Sequence, residues 1–143
     1  MVLPELHANG FLPPGVHLAD LDELWDRFGQ ISERREELFG RLQTFVDLAR
    51  SVRARRMFVG GSYVTAKPAP GDVDVVIWVD EMFLDLVDRG DEQALTLELM
   101  FLTREPKEAF AVFDEEGWNA WIAFFSKVRG RRNLRKGLVE VIL

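Results

Sequence analysis

Val73 to Val79 is the segment that most constrains the fold. Six of its seven residues, Val73, Val75, Val76, Ile77, Trp78 and Val79, are β-branched or aromatic, a composition that fits a pleated, buried surface and reads as a central strand. A chain holding such a strand must pair it and cover it. Met57-Phe58-Val59, closed by Gly60-Gly61, supplies a second short apolar run that ends in a tight turn. Phe110 to Phe113 and Gly137 to Leu143 are expected to form two further strands.

The remaining segments read as helices that cover the sheet. Asp20, with Glu23 at the capping-box position, opens a short helix carrying Leu21, Leu24, Trp25 and Phe28 up to Gly29. Ser32 caps a longer one, with Glu33, Glu36 and Glu37 near its positive end and an apolar face of Leu38, Leu42, Phe45, Val46 and Ala49. Residues 80–104 are expected to be helical with a break near Gly90. Trp118, Trp121, Ile122, Phe125 and Val128 follow helical spacing. Helices alternating with strands predict an α/β or α+β fold, a small mixed β-sheet with helices packed against it. At 143 residues the chain is expected to form one domain over 1–143. Pro13 and Pro14 make residues 1–19 an extended lead-in.

Composition narrows the class of function. No stretch approaches the roughly 20 apolar residues of a membrane helix, and the first ten residues lack the pattern of an export signal. The chain has no cysteine, which removes disulfides, thiol nucleophiles and cysteine-based zinc sites from consideration. The expected location is the cytoplasm. Net charge is −6, but its distribution is uneven. Arg50, Arg53, Arg55 and Arg56 form one basic cluster, and Arg129, Arg131, Arg132, Arg135 and Lys136 form another, which reads as a loop between the last helix and the last strand. The first sits at a helix C-terminus, where cations are favoured. The second is placed to meet phosphates, although a solvated loop explains it equally. His7 and His17 stand without the paired spacing of a zinc site.

The chemistry-bearing motif lies where the two principal strands begin and end. Gly61-Ser62 is followed, after nine residues, by Asp72-Val73-Asp74. Residues two apart on a strand share a face, so Asp72 and Asp74 are expected to present their carboxylates side by side while Val73 and Val75 enter the core. Two such carboxylates suit Mg²⁺ or Mn²⁺, a hard ion whose remaining ligands are waters and substrate phosphate oxygens. The glycines let backbone N–H groups approach a triphosphate, the Ser62 hydroxyl adds a donor, and Lys67 is a candidate for phosphate charge. A pair of ions there activates an attacking hydroxyl and stabilises leaving pyrophosphate. In phosphatases with an aspartate nucleophile and in many sugar-nucleotide transferases the apolar strand precedes the acidic pair. Here it follows, which favours nucleotidyl transfer.

Val59-Gly60-Gly61-Ser62 and Asp72-Val73-Asp74-Val75 together resemble the signature of the polymerase-β-like nucleotidyltransferase superfamily. The opening Asn9 to His17 and the closing Phe124-Phe125 to Glu140 resemble a family of short bacterial proteins within it. The resemblance implies Gly61 and Ser62 at an NTP, Asp72 and Asp74 as Mg²⁺ ligands, and transfer of a nucleoside monophosphate to an RNA end or a protein hydroxyl, in some relatives within toxin–antitoxin or phage-defence systems. It also implies a third carboxylate on a later strand. The mid-strand positions of Ala109 to Phe113 carry no acid, so Asp114 is the candidate, although it also stands where the Trp118 helix needs an N-cap. The alternative expectation is a degenerate, antitoxin-like binding module without turnover. A domain this small also leaves room for a homodimer or a partner subunit to supply the acceptor platform.

Overall fold

The strand expected over 73–79 sits inside a five-stranded sheet. The computed structural model describes residues 2–103 and 108–143, with strands β1 (Val16–Ala19), β2 (Arg56–Gly60), β3 (Asp74–Trp78), β4 (Ala109–Val112), β5 (Lys127–Val128), β6 (Arg131–Arg135) and β7 (Leu138–Val141). The main sheet runs β1-β7-β2-β3-β4, and β5 and β6 form a separate two-stranded hairpin. β2 is antiparallel to both β3 and β7, whereas β1 is parallel to β7 and β4 parallel to β3. The helices are α1 (Leu21–Leu24), continued by a π-type turn over Trp25–Gly29, then α2 (Glu33–Ser51), α3 (Glu81–Asp88), α4 (Glu92–Thr103) and α5 (Glu115–Ser126). This is a mixed α+β fold, as the alternation of elements predicts.

β3 is apolar on consecutive residues because both faces of the sheet are covered. Val75 and Ile77 join a core built with Leu38, Leu42, Phe45 and Val46 of α2 and with Leu97 of α4. Val76 turns the other way and packs with Phe58 of β2 and with Trp118 and Phe125 of α5. Residues on each strand alternate between the two cores because the side-chain period is two. Burying each such Val, Ile or Phe side chain stabilises the fold by about 1.5–3 kcal/mol before conformational entropy is counted.

The caps are those the sequence indicates. Asp20, Ser32 and Asp114 each accept a hydrogen bond from the backbone N–H three residues on, at Glu23, Arg35 and Gly117. Glu23 is used differently from a capping-box residue: its Oε2 accepts from the Leu3 N–H at 2.9 Å, while Arg27 donates to the carbonyls of Leu3 and Pro4. These bonds tie the N-terminal segment to α1.

The extended lead-in over 1–19 ends in an edge strand, since Val16–Ala19 pairs with β7. The Arg129 to Lys136 loop is corrected: it is largely the β5–β6 hairpin, turning at Gly130, and Val128 belongs to it rather than to the last helix. The break expected near Gly90 separates α3 from α4, since Gly90 adopts φ +78° and Asp91 caps α4 by accepting from Ala94 N–H; position 104 lies outside the described residues. Among the described residues, no helix is long and apolar enough to cross a membrane.

One buried cation organises the turn between β2 and β3. Arg35 of α2 is only 2 % exposed, and its guanidinium donates to the carbonyls of Phe28, Tyr63, Thr65 and Lys67. It also lies over the Tyr63 ring at 5.5 Å. No carboxylate is paired with it among the described residues, so four carbonyl dipoles replace its hydration, and burial lowers its pKa. Arg35→Met retains most of the bulk but leaves those carbonyls without a donor. It is expected to cost about 3 kcal/mol or more in urea unfolding, with Arg35→Lys intermediate; a loss below about 1 kcal/mol in Arg35→Met would show that the turn holds without it.

Candidate functional site

The antiparallel pairing of β2 and β3 brings the two halves of the motif together. Gly60 is in register with Asp74, so the turn that ends β2 lies against the residues that begin β3. Gly61–Val64 forms one 3₁₀ turn in which Gly61 has φ +71°. A Cβ at Gly61 would collide with the Asp74 carboxylate. Glycine is therefore required twice, for the left-handed backbone and for the space Asp74 occupies. Ser62 is half-buried; its carbonyl accepts from Thr65 N–H and Oγ1, and its hydroxyl has no internal partner among the described residues.

Asp74 stands out among the described carboxylates. It is half-buried beside Asp72 and Glu108, and its pKa is pushed up to about 7. Burial is the largest cause, followed by the negative charges of Asp72 and Glu108; the Lys136 ammonium opposes them. Near neutral pH Asp74 is therefore only partly ionised. Asp72 itself is exposed, so the pair has one half-buried and one water-facing carboxylate.

Two contributors escape the motif. Glu108 is 2 % exposed and immediately precedes β4; its carbonyl accepts from Val75 N–H at 2.7 Å, and its Oε2 accepts from Val73 N–H at 2.8 Å and from Arg41 at 3.1 Å. It thus clamps the residue between the two aspartates from the neighbouring strand. Its Oε1 is buried without a partner among the described residues. Lys136, between β6 and β7, is partly buried beside Asp74, with its Nζ 5.8 Å from the Phe11 ring centroid. Burial lowers its pKa while Asp74 raises it. A glutamate one residue ahead of an apolar strand was the available signal for Glu108. Lys136 is concealed in sequence by its four arginine neighbours.

Asp114 and Lys67 are placed elsewhere. Asp114 follows β4 at its C-terminal end and is committed as the N-cap of α5. β3 and β4 are parallel, with Val112 opposite Trp78, so Asp114 stands beyond the far end of β3 from Asp74, at least roughly 13 Å along the strands. The strand direction that joins Gly61 to Asp74 thus separates Asp114 from both. Lys67 contributes backbone: its carbonyl accepts from Arg35 and its N–H donates to Thr65 Oγ1, while the residue is exposed.

The site so assembled combines a glycine turn, a carboxylate pair, a clamping glutamate and a lysine. Among the described residues, no group of three or more acidic or histidine side chains is gathered closely enough to hold a metal ion. Asp72 and Asp74 nonetheless fit a hard divalent cation that takes two carboxylate oxygens and completes its shell with water, since the pair carries excess negative charge once ionised. The fold and site define a small mixed α+β protein with an acidic pair, one member exposed and one half-buried, at the start of an interior strand. The sequence matches the family of unknown function DUF6932 over residues 4–142, and the chain belongs to that family. No curated protein and no solved structure matches it.

The raised pKa makes a signed prediction. Folded Asp74 titrates near 7 and the unfolded residue near 3.8, so the folded state binds more protons between those values. Its contribution is then most favourable below pH 4 and is lost as pH rises toward 7. Asp74→Asn is expected to be more stable than the wild type at pH 7.5, with the difference shrinking by roughly 2 kcal/mol or more at pH 4.5; parallel urea titrations at the two pH values check this, and a pH-independent difference would show that the Asp74 carboxyl is not raised. Gly61→Ala is expected to lower stability by about 1–3 kcal/mol, and a second substitution of Asp74→Ala should recover part of that loss by vacating the space.

Proposed function

We propose that this protein is a metal-dependent nucleotidyltransferase, similar to the polymerase-β-like superfamily, that moves a nucleoside monophosphate from an NTP to a hydroxyl acceptor. The single observation that carries this reading is Gly61 packed directly against the Asp74 carboxylate, which joins a turn suited to phosphate with a carboxylate pair suited to a cation. In this reading the Gly61–Ser62 turn faces the triphosphate, where the free Ser62 hydroxyl donates to a phosphate oxygen. Asp72 and Asp74 would hold Mg²⁺ or Mn²⁺, which when bound supplies charge neutralisation at the phosphates and activation of the acceptor hydroxyl. To hold such an ion Asp74 would have to be ionised. The acceptor oxygen forms a bond to the α-phosphorus, the bond to pyrophosphate breaks, and the acceptor's proton is lost to water on the exposed Asp72 side.

The other residues act by position and charge. Glu108 fixes the backbone of Val73 and so sets the separation of the two aspartates. Lys136 balances charge beside Asp74 and is placed to meet a phosphate oxygen. Arg35 keeps the turn in shape through the Tyr63 carbonyl and those of Thr65 and Lys67 that follow it. The acceptor is an RNA end or a protein hydroxyl, and the cytoplasm, with its NTP and Mg²⁺, is the fitting location. A homodimer or partner subunit would extend the small acceptor surface. A role within a toxin–antitoxin or defence system is compatible with this chemistry.

A second reading, a binding module that retains the fold without turnover, is favoured by one observation: the described residues gather only two free carboxylates rather than three, with Glu108 committed to Val73 and Arg41. One assay separates the two. Purified protein, α-labelled NTPs, Mg²⁺ or Mn²⁺, and bulk RNA or lysate protein are expected to give labelled acceptor, with Asp72→Ala and Asp74→Ala each reducing transfer at least about 100-fold. Mn²⁺-dependent NTP binding without any transfer would establish the module, and unchanged transfer by Asp72→Ala would defeat the assignment of the site.

A further inference from the structure

We infer that the β5–β6 hairpin is a binding arm for single-stranded nucleic acid that leads its phosphates toward the Asp72–Asp74 site. The inference deepens the reading of that site as a nucleotidyltransferase by naming the class of acceptor. Residues 127–136 carry six cations, Lys127, Arg129, Arg131, Arg132, Arg135 and Lys136, and no acid, on a protein whose net charge is −6. The rest of the chain is therefore at −12. An acidic body offers many carboxylates, yet Lys127, Arg129, Arg131 and Arg132 make no ion pair or side-chain hydrogen bond among the described residues, and all four are exposed.

The hairpin also holds like charges against one another. Lys127 and Arg135 are directly paired across the two strands, an arrangement that destabilises a ladder, in an isolated two-stranded element that is marginal to begin with. Arg131 is paired instead with Val128, and the register shifts between Lys127 and Val128, so the bulged hairpin carries its row of cations on both faces. Lys127 and Arg135 lie at its base, and the next residue, Lys136, stands beside Asp74. An anionic polymer laid along the Lys127–Arg135 pair relieves the repulsion and leads toward the carboxylate pair.

Nucleic acid fits this row better than an acidic protein does. Four of the six cations are arginine, whose planar fork matches phosphate oxygens. Phe124, three residues before the hairpin, is 58 % exposed and braced edge-on against Trp121 and Phe125. A rigid exposed ring next to a cationic track is the arrangement on which unpaired bases stack.

Fluorescence anisotropy of labelled 12-nucleotide single-stranded RNA, DNA of the same sequence and the corresponding duplex, at several salt concentrations and without NTP, tests the arm. Wild type is expected to bind the single strands, RNA at least as tightly as DNA, with affinity falling steeply as salt rises. Arg129→Glu/Arg131→Glu/Arg132→Glu is expected to weaken binding at least about 30-fold and to flatten the salt slope by about 2. Phe124→Ala, by removing a stacking face, should weaken it about five-fold or more. Absence of binding, an unchanged triple variant, or polyglutamate competing as well as the oligonucleotide would overturn the proposal, the last by assigning the arm to an acidic protein. Mn²⁺-dependent NTP binding measured on the same variants keeps the two readings apart. It stays intact if only the arm fails, whereas a failed nucleotide site loses NTP binding and leaves oligonucleotide binding as it was.

Discussion

The Arg35 guanidinium is the interaction on which the site depends. Gly61 to Lys67 leaves the end of β2 through a single 3₁₀ turn, Gly61–Val64. Arg35 gathers the carbonyls of Tyr63, Thr65 and Lys67 from that segment and Phe28 from the end of the preceding π-type turn. A buried cation with only carbonyl partners stays ionised because four dipoles converge on it. The geometry is mutual: the carbonyls satisfy the charge, and the charge orients the carbonyls inward. With the carbonyls drawn toward α2, the Gly61–Ser62 end of the turn is held against Asp74.

Against that rigid turn stands a pair of carboxylates in an unfavourable environment. Asp74 lies in a half-buried position beside two other acids, and only Lys136 offsets them. A structural residue in such a place would ordinarily be amide or apolar, because an ionised carboxylate loses hydration that no partner fully replaces. The neighbouring clamp makes the cost more telling, since Glu108 spends one oxygen on Val73 and Arg41 and leaves the other without a partner among the described residues. The two cores, by contrast, are built almost wholly of apolar and aromatic side chains. This is the pattern expected where a positively charged ligand completes the site.

Much of the fold is legible in the sequence because it rests on local rules. The β-branched run around Val75–Ile77 forms a strand, and Asp20, Ser32 and Asp114 cap helices as residues of their type do. Asp72 and Asp74 lie near enough for each to act on the other's charge, and the antiparallel return of β2 sets Gly61 against Asp74. What escapes the sequence is what depends on distant segments. Val16–Ala19 has no strong strand pattern of its own and acquires its conformation by pairing with β7. Arg35 reads as one more charged residue in the first turns of a helix, and its burial follows only from where residues 63–67 pass. Asp114 shows the converse difficulty, because an acid next to a strand is ambiguous until strand direction is known; the parallel pairing of β3 and β4 puts it at the wrong end.

The ends of the chain also belong to the site. β7 enters between β1 and β2, so the last strand closes a sheet whose other edge of contact is formed near the N-terminus. Gly137 makes that closure feasible: a side chain there would collide with the Pro13 carbonyl, and would sit 2.8 Å from Leu12 Cβ and 3.0 Å from His17 Nε2. His17 in turn is hydrogen-bonded to the Pro13 carbonyl at 2.7 Å, and Gly137 N–H donates to the Leu12 carbonyl. The residue before this junction is Lys136, the cation beside Asp74. Closing the sheet and delivering the balancing charge are therefore one event, and the Asn9–His17 segment, which carries no acid or base that reaches the carboxylate pair, acts on the site by fixing where Lys136 emerges.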